Sequence, residues 1–330
     1  MRRCLLAIGV ITALLIAACA PRPVLPRHPG GATIRIKVKE GTLESVRDLP
    51  LEDYVAGAAL SEAAPGTASA RAAEAMFEVQ AIVARTYAEA HRGRHAREGF
   101  DLCSTTHCQI YEPARLAGSR WAPVVLDAVQ RTAGVILMYD GAPADAVYHA
   151  DCGGWTSAAE DVWSGPPRTY LPARPDRGDA KDAHVTWQYS VDRDALQRAL
   201  NSDSRSRLNG TLVGITVLSR DASGRARQVL LRADRGNRGN RESNDVTVRG
   251  TDLREVLTNA FGIRSIRSTL FDVVANGREF RFSGNGFGHG VGLCQVGALA
   301  RVTAGETPRA VLMHYYPGTS LTPSSRTRQD

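Results

Sequence analysis

The sequence predicts an irregular, mixed α+β fold with β-hairpins and one long helix. Three observations carry this. Residues 68 to 91 contain no Pro or Gly, and Met76, Val79, Val83 and Tyr87 recur at helical spacing. Apolar runs face each other across short turns such as Asp140-Gly141 and Asn276-Gly277, the mark of hairpins. Strands and helices do not alternate regularly, which argues against βαβ units. A chain of 330 residues that is 43% hydrophobic can bury a large core and is not globally disordered. Six cysteines are too few for a disulfide-stapled scaffold. The formal charge of +7 rests on 38 Arg and 3 Lys. It points to an anionic or carboxylate-bearing partner rather than nucleic acid.

The elements follow in order. Arg2 and Arg3 precede an apolar run from Cys4 to Ala18, too short to span a membrane comfortably and patterned as a signal peptide. It ends Leu15-Ile16-Ala17-Ala18-Cys19, which resembles a bacterial lipobox. That resemblance implies residues 1–18 as leader, lipidation of Cys19, and a mature charge two arginines lower, +5. Ala20, which is not acidic, adds the expectation of an outer-membrane anchor facing the periplasm. Four prolines between residues 19 and 31 read as an extended tether. Ala32 to Lys39 alternates as a half-buried strand. Leu49 to Leu60 is a further apolar segment, and Pro65-Gly66 breaks it from the long helix. Helices are expected over 124–132, 191–201, 251–259 (capped by Thr or Asp) and 291–303. A last one follows the Thr307-Pro308 start and ends at His314. Hairpins are expected for 135–139 with 146–149, 214–218 with 228–232, and 271–274 with 279–282. Residues 165–182 and 235–244 read as loops, and 322–330 as a tail.

Three constellations carry chemistry. His95, Cys103, His107 and Cys108 are either a tetrahedral zinc set or a Cys103–Cys108 disulfide with two surface histidines. Cys152 and Cys294 each adjoin glycines and are either bridged or two buried thiols. Gly284-Asn285-Gly286-Phe287-Gly288-His289-Gly290-Val291-Gly292 permits close backbone approach to a ligand, but its spacing fits no dinucleotide fingerprint. Neither a Walker loop nor a Gly-x-Ser-x-Gly elbow occurs. Glu62, beside Leu60, Ala63 and Ala64, is placed to have a raised pKa and to act as an acid. Taken alone, it reads rather as a solvated residue or a helix-start acid.

Together these segments resemble the SpoIID/LytB family, over about residues 32 to 321. The motifs are Leu49-Pro50-Leu51-Glu52-Asp53-Tyr54-Val55, Ser61-Glu62, and Gln80-Ala81-Ile82-Val83-Ala84-Arg85-Thr86-Tyr87. They continue through Cys103-Ser104-Thr105-Thr106-His107-Cys108-Gln109-Ile110-Tyr111, Cys152-Gly153-Gly154, Gly286 to Gln295, and His314-Tyr315-Tyr316-Pro317-Gly318. The resemblance implies one catalytic unit, divisible into two lobes. It implies a lytic transglycosylase acting on peptidoglycan glycan strands stripped of stem peptides. Glu62 is then the acid/base, and Arg85 stands near substrate, holding a lactyl carboxylate or the Glu62 carboxylate. His149, Gly153, Gly154, Gly288, His289 and Gln295 are expected to bind glycan. A structural zinc falls to Cys103, His107 and Cys108, with His95 as the best fourth ligand. Cysteines where the family carries small polar residues favour a Cys152–Cys294 disulfide. The amidase-enhancer naming of the family supplies the main alternative, a non-catalytic glycan binder that stimulates a cell-wall amidase. A zinc hydrolase using His95, Cys103 and His107 with an open metal position is the third reading.

Overall fold

Alternation in the first strand puts Ile34, Ile36 and Val38 on one face, each no more than 1% exposed. In the computed structural model, which describes residues 32–63, 65–176, 184–235 and 245–323, this is β1 (Thr33–Glu40). It pairs antiparallel with β2 (Leu43–Pro50). Pro50 then opens α1 (Leu51–Glu62), where its missing N–H costs nothing. The long helix is α2 (Ala70–Ala90), started by Ser69, whose hydroxyl accepts from the Ala72 N–H at 3.2 Å. β3 (Leu102–Cys103) adds to β1 in parallel. After α3 (Ala114–Gly118) and α4 (Ala122–Arg131) comes β4 (Val135–Tyr139). The turn after β4 has positive φ at both Asp140 (49°) and Gly141 (78°), as a type I′ hairpin requires.

The strand returning from that turn is β5 (Ala142–Pro143), not residues 146–149 as expected. β6 (Tyr148–His149) instead leaves to pair elsewhere. β7 (Trp155–Thr156), α5 (Ala159–Val162) and β8 (Arg174–Pro175) follow.

Next come β9 (Thr186–Asp192) and α6 (Arg193–Asn201). β10 (Thr211–Arg220), β11 (Ala226–Asp234) and β12 (Val246–Arg249) form one antiparallel sheet. α7 (Gly250–Phe261) follows Arg249, which makes no side-chain cap, so the expected Thr or Asp cap is corrected. β13 (Phe271–Asn276) and β14 (Glu279–Asn285) pair with each other, and β14 also with β9. These elements share one apolar core around Trp187, Leu196, Leu212, Leu231, Leu253 and Phe282.

β15 (Leu293–Cys294) then returns the chain to the earlier elements, parallel to β6. α8 runs Gln295–Thr303. The helix expected from residue 291 starts late because Gly290 and Gly292 have φ of 87° and 69°, outside the helical region. α9 (Pro308–Tyr315) is capped by Thr307, and β16 (Ser320–Pro323) closes on β4. α1, α2, α4, β1, β4 and the C-terminal helices bury the second and larger core. The leader, Cys19 and the tether lie outside the described residues, as do residues 177–183 and 236–244 of the two expected loops and all of the tail beyond Pro323.

Candidate active site

Glu62 is the last residue of α1, and the helix around it is almost wholly buried. Gly57 lets that helix pack so closely that a Cβ there would stand 2.3 Å from the Tyr111 ring. The Glu62 carboxylate accepts the Ile110 N–H at 2.6 Å. Its pKa is raised. Burial is the main cause, the Ile110 N–H, the Tyr148 hydroxyl and Arg115 oppose it, and Glu112 adds to it. Glu112 itself is half exposed and ion-paired with Arg115 at 2.5 Å, so Glu62 is the acid shielded from water. The Tyr148 hydroxyl that faces Glu62 is held from behind. Tyr54 donates to Gln109 Oε1 at 2.8 Å, and Gln109 Nε2 donates to the Tyr148 oxygen at 3.3 Å. Gln295, at the start of α8, donates to the Glu62 carbonyl at 3.2 Å and to Gln80 Oε1 at 3.3 Å.

Gln109 and Ile110 follow directly on the Cys/His cluster. One ligand atom from each of His95, Cys103, His107 and Cys108 lies within 4.8 Å of the other three. Sulfur–nitrogen separations are 3.4 Å (Cys108 to His95), 3.5 Å (Cys108 to His107) and 3.7 Å (Cys103 to His107). A tetrahedral zinc with ordinary Zn–S and Zn–N bonds needs about 3.6 Å between such atoms. His95 Nδ1 meets Glu98 Oε1 at 2.6 Å, the carboxylate partner that metal-bound histidines commonly have. A hydrogen bond from Cys108 is the main cause holding the Cys103 thiol down to about 4, so one thiolate is already favoured. The four residues fit zinc.

The glycine-rich segment reaches the same region through β15. A Cβ on Gly288 would lie 2.7 Å from His149 Cβ, and Gly288 has φ of 115°. His289 Nε2 meets the Tyr148 carbonyl at 2.9 Å, and the ring lies 5.0 Å from Trp163. Burial pushes His289 down to about 3, so it is a neutral imidazole.

The expected site residues therefore separate. Glu62, Gln295, Gly288 and His289 gather around Tyr148. Gly153 and Gly154 instead face Leu270, Asn285 and His184. Three expectations are corrected. His149 is 4% exposed and cannot meet glycan in this conformation. Arg85 is fully buried and gives its guanidinium to Glu52, 2.6 Å away, and to the Val135 carbonyl; it braces α1 against α2 and β4 rather than facing substrate. The expected Cys152–Cys294 bridge is also absent, for both are free thiols. Each sulfur has its own polar duty: Cys294 Sγ caps α8 by accepting from the Gly297 N–H at 3.3 Å, and Cys152 Sγ donates to Asp176 at 3.5 Å. Sequence reasoning missed Tyr148, Gln109 and the Ile110 N–H as parts of the site. The signal was available for the last two, which adjoin the Cys/His cluster in the quoted motif.

With this geometry in place, relatives can be compared. A family model described as stage II sporulation protein (SpoIID) matches residues 39–139, the stretch holding Glu62, Arg85 and the Cys/His cluster. A second, a domain of unknown function (DUF8618), matches residues 179–292. The amidase enhancer of Bacillus subtilis (strain 168) is 27% identical over 285 residues, 74% of this chain but 38% of that protein's length. Stage II sporulation protein D of the same strain is 26% identical over 317 residues, covering 90% of this chain and 82% of the relative. Its counterpart in Bacillus amyloliquefaciens is 26% identical over 310 residues, covering 91% and 80%. The residues that build the carboxylate's surroundings lie largely in the stretch matched by the SpoIID model, and these likenesses support the SpoIID/LytB family.

Proposed function

We propose that this protein is a peptidoglycan lytic transglycosylase that cleaves glycan strands, stripped of stem peptides, with Glu62 as its single acid/base. The observation that carries the reading is a largely buried carboxylate with a raised pKa, held by the Ile110 N–H at 2.6 Å. A raised pKa keeps the proton on Glu62 until substrate arrives. Glu62 then donates it to the glycosidic oxygen between N-acetylmuramic acid and N-acetylglucosamine, and the C1–oxygen bond breaks. The Ile110 N–H and Tyr148 hydroxyl hold the carboxylate so formed. That carboxylate next takes the C6 hydroxyl proton as the C6 oxygen bonds to C1, closing a 1,6-anhydro ring. The proton returns to Glu62 and no water is consumed, so a second carboxylate is not required. His95, Cys103, His107 and Cys108 would hold a structural zinc, which closes a loop and supplies no open coordination position.

Denuded glycan incubated with the protein should release anhydro-muramyl products detectable by mass spectrometry. Glu62→Gln should lower their rate by about 10²–10⁴-fold. Equal rates in the two proteins would overturn the assignment. The name of the amidase-enhancer relative favours a second reading, a glycan binder that stimulates a cell-wall amidase. It predicts glycan pull-down and amidase stimulation that survive Glu62→Ala. The sequence around Cys19 extends the proposal to a lipid-anchored envelope protein on the periplasmic face of the outer membrane. Labelling by a radioactive fatty acid, lost in Cys19→Ala, tests that extension.

A further inference from the structure

Two sulfurs and an imidazole meet where the Cys152 and glycine-rich segments cross. Cys152 Sγ, Cys294 Sγ and a ring nitrogen of His149 lie within 4.8 Å of one another, and all three residues are buried. None of them belongs to the Cys103 cluster. His149 Nδ1 donates to the Val291 carbonyl at 3.1 Å. Its Nε2 is therefore a lone pair, and it has no partner. Interiors rarely leave such an acceptor unsatisfied.

The sulfurs are arranged to accept. Cys294 Sγ takes the N–H groups of Cys152 at 3.2 Å and Gly297 at 3.3 Å, the second from the first turn of α8. Cys152 Sγ takes the Gly154 N–H at 3.3 Å. Three N–H donors, one of them at a helix N-terminus, thus point at the two sulfurs. A buried positive charge stands alongside. Arg225 is 1% exposed and donates from Nη2 to the Cys152 carbonyl at 2.7 Å, while its Nε and Nη1 have no partner. A buried guanidinium needs anionic neighbours; Asp221 and Asp151 are two of them, and two metal-bound thiolates would add to these.

We propose that His149, Cys152 and Cys294 form a second metal site, for a thiophilic cation. Copper(I) is the best match, since two thiolates and one imidazole give it a soft, three-ligand site. Zinc would need a fourth ligand, and the Asp176 carboxylate, 3.5 Å from Cys152 Sγ, is the nearest on the Cys152 side. Binding displaces one proton from each thiol and transfers no electrons.

The full chain, kept reduced by a thiol-free phosphine, is offered copper(I) or zinc, desalted, and its metal counted by mass spectrometry. We expect the wild type to retain one equivalent more than Cys152→Ser/Cys294→Ser and one more than the single variant His149→Gln. Metal still held at His95, Cys103, His107 and Cys108 in the variants reports that they remain folded. X-ray absorption on copper-loaded Cys103→Ser/Cys108→Ser should show two sulfurs and one nitrogen around the metal. Equal metal counts in wild type and folded variants would overturn the proposal, as would a metal shell without sulfur.

Discussion

A carboxylic acid that must meet its substrate protonated needs burial to raise its pKa and donors to accept the charge afterwards. Glu62 has both, and the balance between them is adjustable at Tyr148. That hydroxyl stabilises the charged carboxylate, so removing it raises the pKa of Glu62 further. Burial, Arg115, Glu112 and the Ile110 N–H remain the other influences on it. In the proposed mechanism the protonated form is the working acid, so Tyr148→Phe should move the alkaline limb of kcat/KM up by about one pH unit. A hydroxyl that only filled space would lower the rate without moving that limb. Arg85 teaches the opposite lesson. Its residue type and motif suggested a glycan contact, but a guanidinium at 0% side-chain exposure beside Glu52 is a brace. Sequence gives the identity of a charged residue, whereas only packing reveals which neighbour uses it.

At the scale of elements, the decisive segment runs from Cys103 to Tyr111. Its Cys/His half fits zinc, and its other half delivers Gln109, the Ile110 N–H and the Tyr111 ring to the end of α1. Chelation should therefore lower the thermal midpoint and glycan cleavage together, with both restored by zinc; thermal melts and product release on the same samples check this. If cleavage persisted unchanged in metal-free protein, the loop would not depend on the metal. The glycine-rich segment is equally constrained. Gly288→Ala adds a Cβ 2.7 Å from His149 at a φ of 115°, and should cost about 1–3 kcal/mol in urea unfolding. Most helices and the tight hairpins are legible in the sequence, because the Pro- and Gly-free run of residues 68–91, Thr307-Pro308 and Asn276-Gly277 are local signals. The misread pieces depend on distant chain. β6 is too short to declare itself and exists because β15 lies beside it. β9 and β12 escaped notice because partners far along the sequence complete their sheets.

The whole molecule carries two apolar cores, and its polar contacts tie them together. Asp151 accepts from the Val185 N–H at 2.6 Å and meets His184 at 2.7 Å. Ser157 donates to Asp221 at 2.8 Å, and Arg225 reaches the Cys152 carbonyl. Such buried links should make unfolding a single transition. Trp187 reports one core and Trp121 the other, so single-tryptophan variants should give coincident urea midpoints; separated midpoints would show two independent units. Composition could state that 330 residues suffice for one domain or two, but it could not place the division. The chain leaves one core for the other and then returns, which no local pattern records. One contact made by that return has a consequence for the protein's history. Gln295 braces the backbone of Glu62 from 233 positions away. A ribosome or export channel releases residues in order, so the glutamate emerges long before its brace. Until the last part of the chain arrives, the acid lacks α8 behind it, and under the proposed function a half-delivered molecule cannot cut glycan. Late assembly of this kind folds slowly, so the brace of Glu62 is among the last contacts of the chain to form.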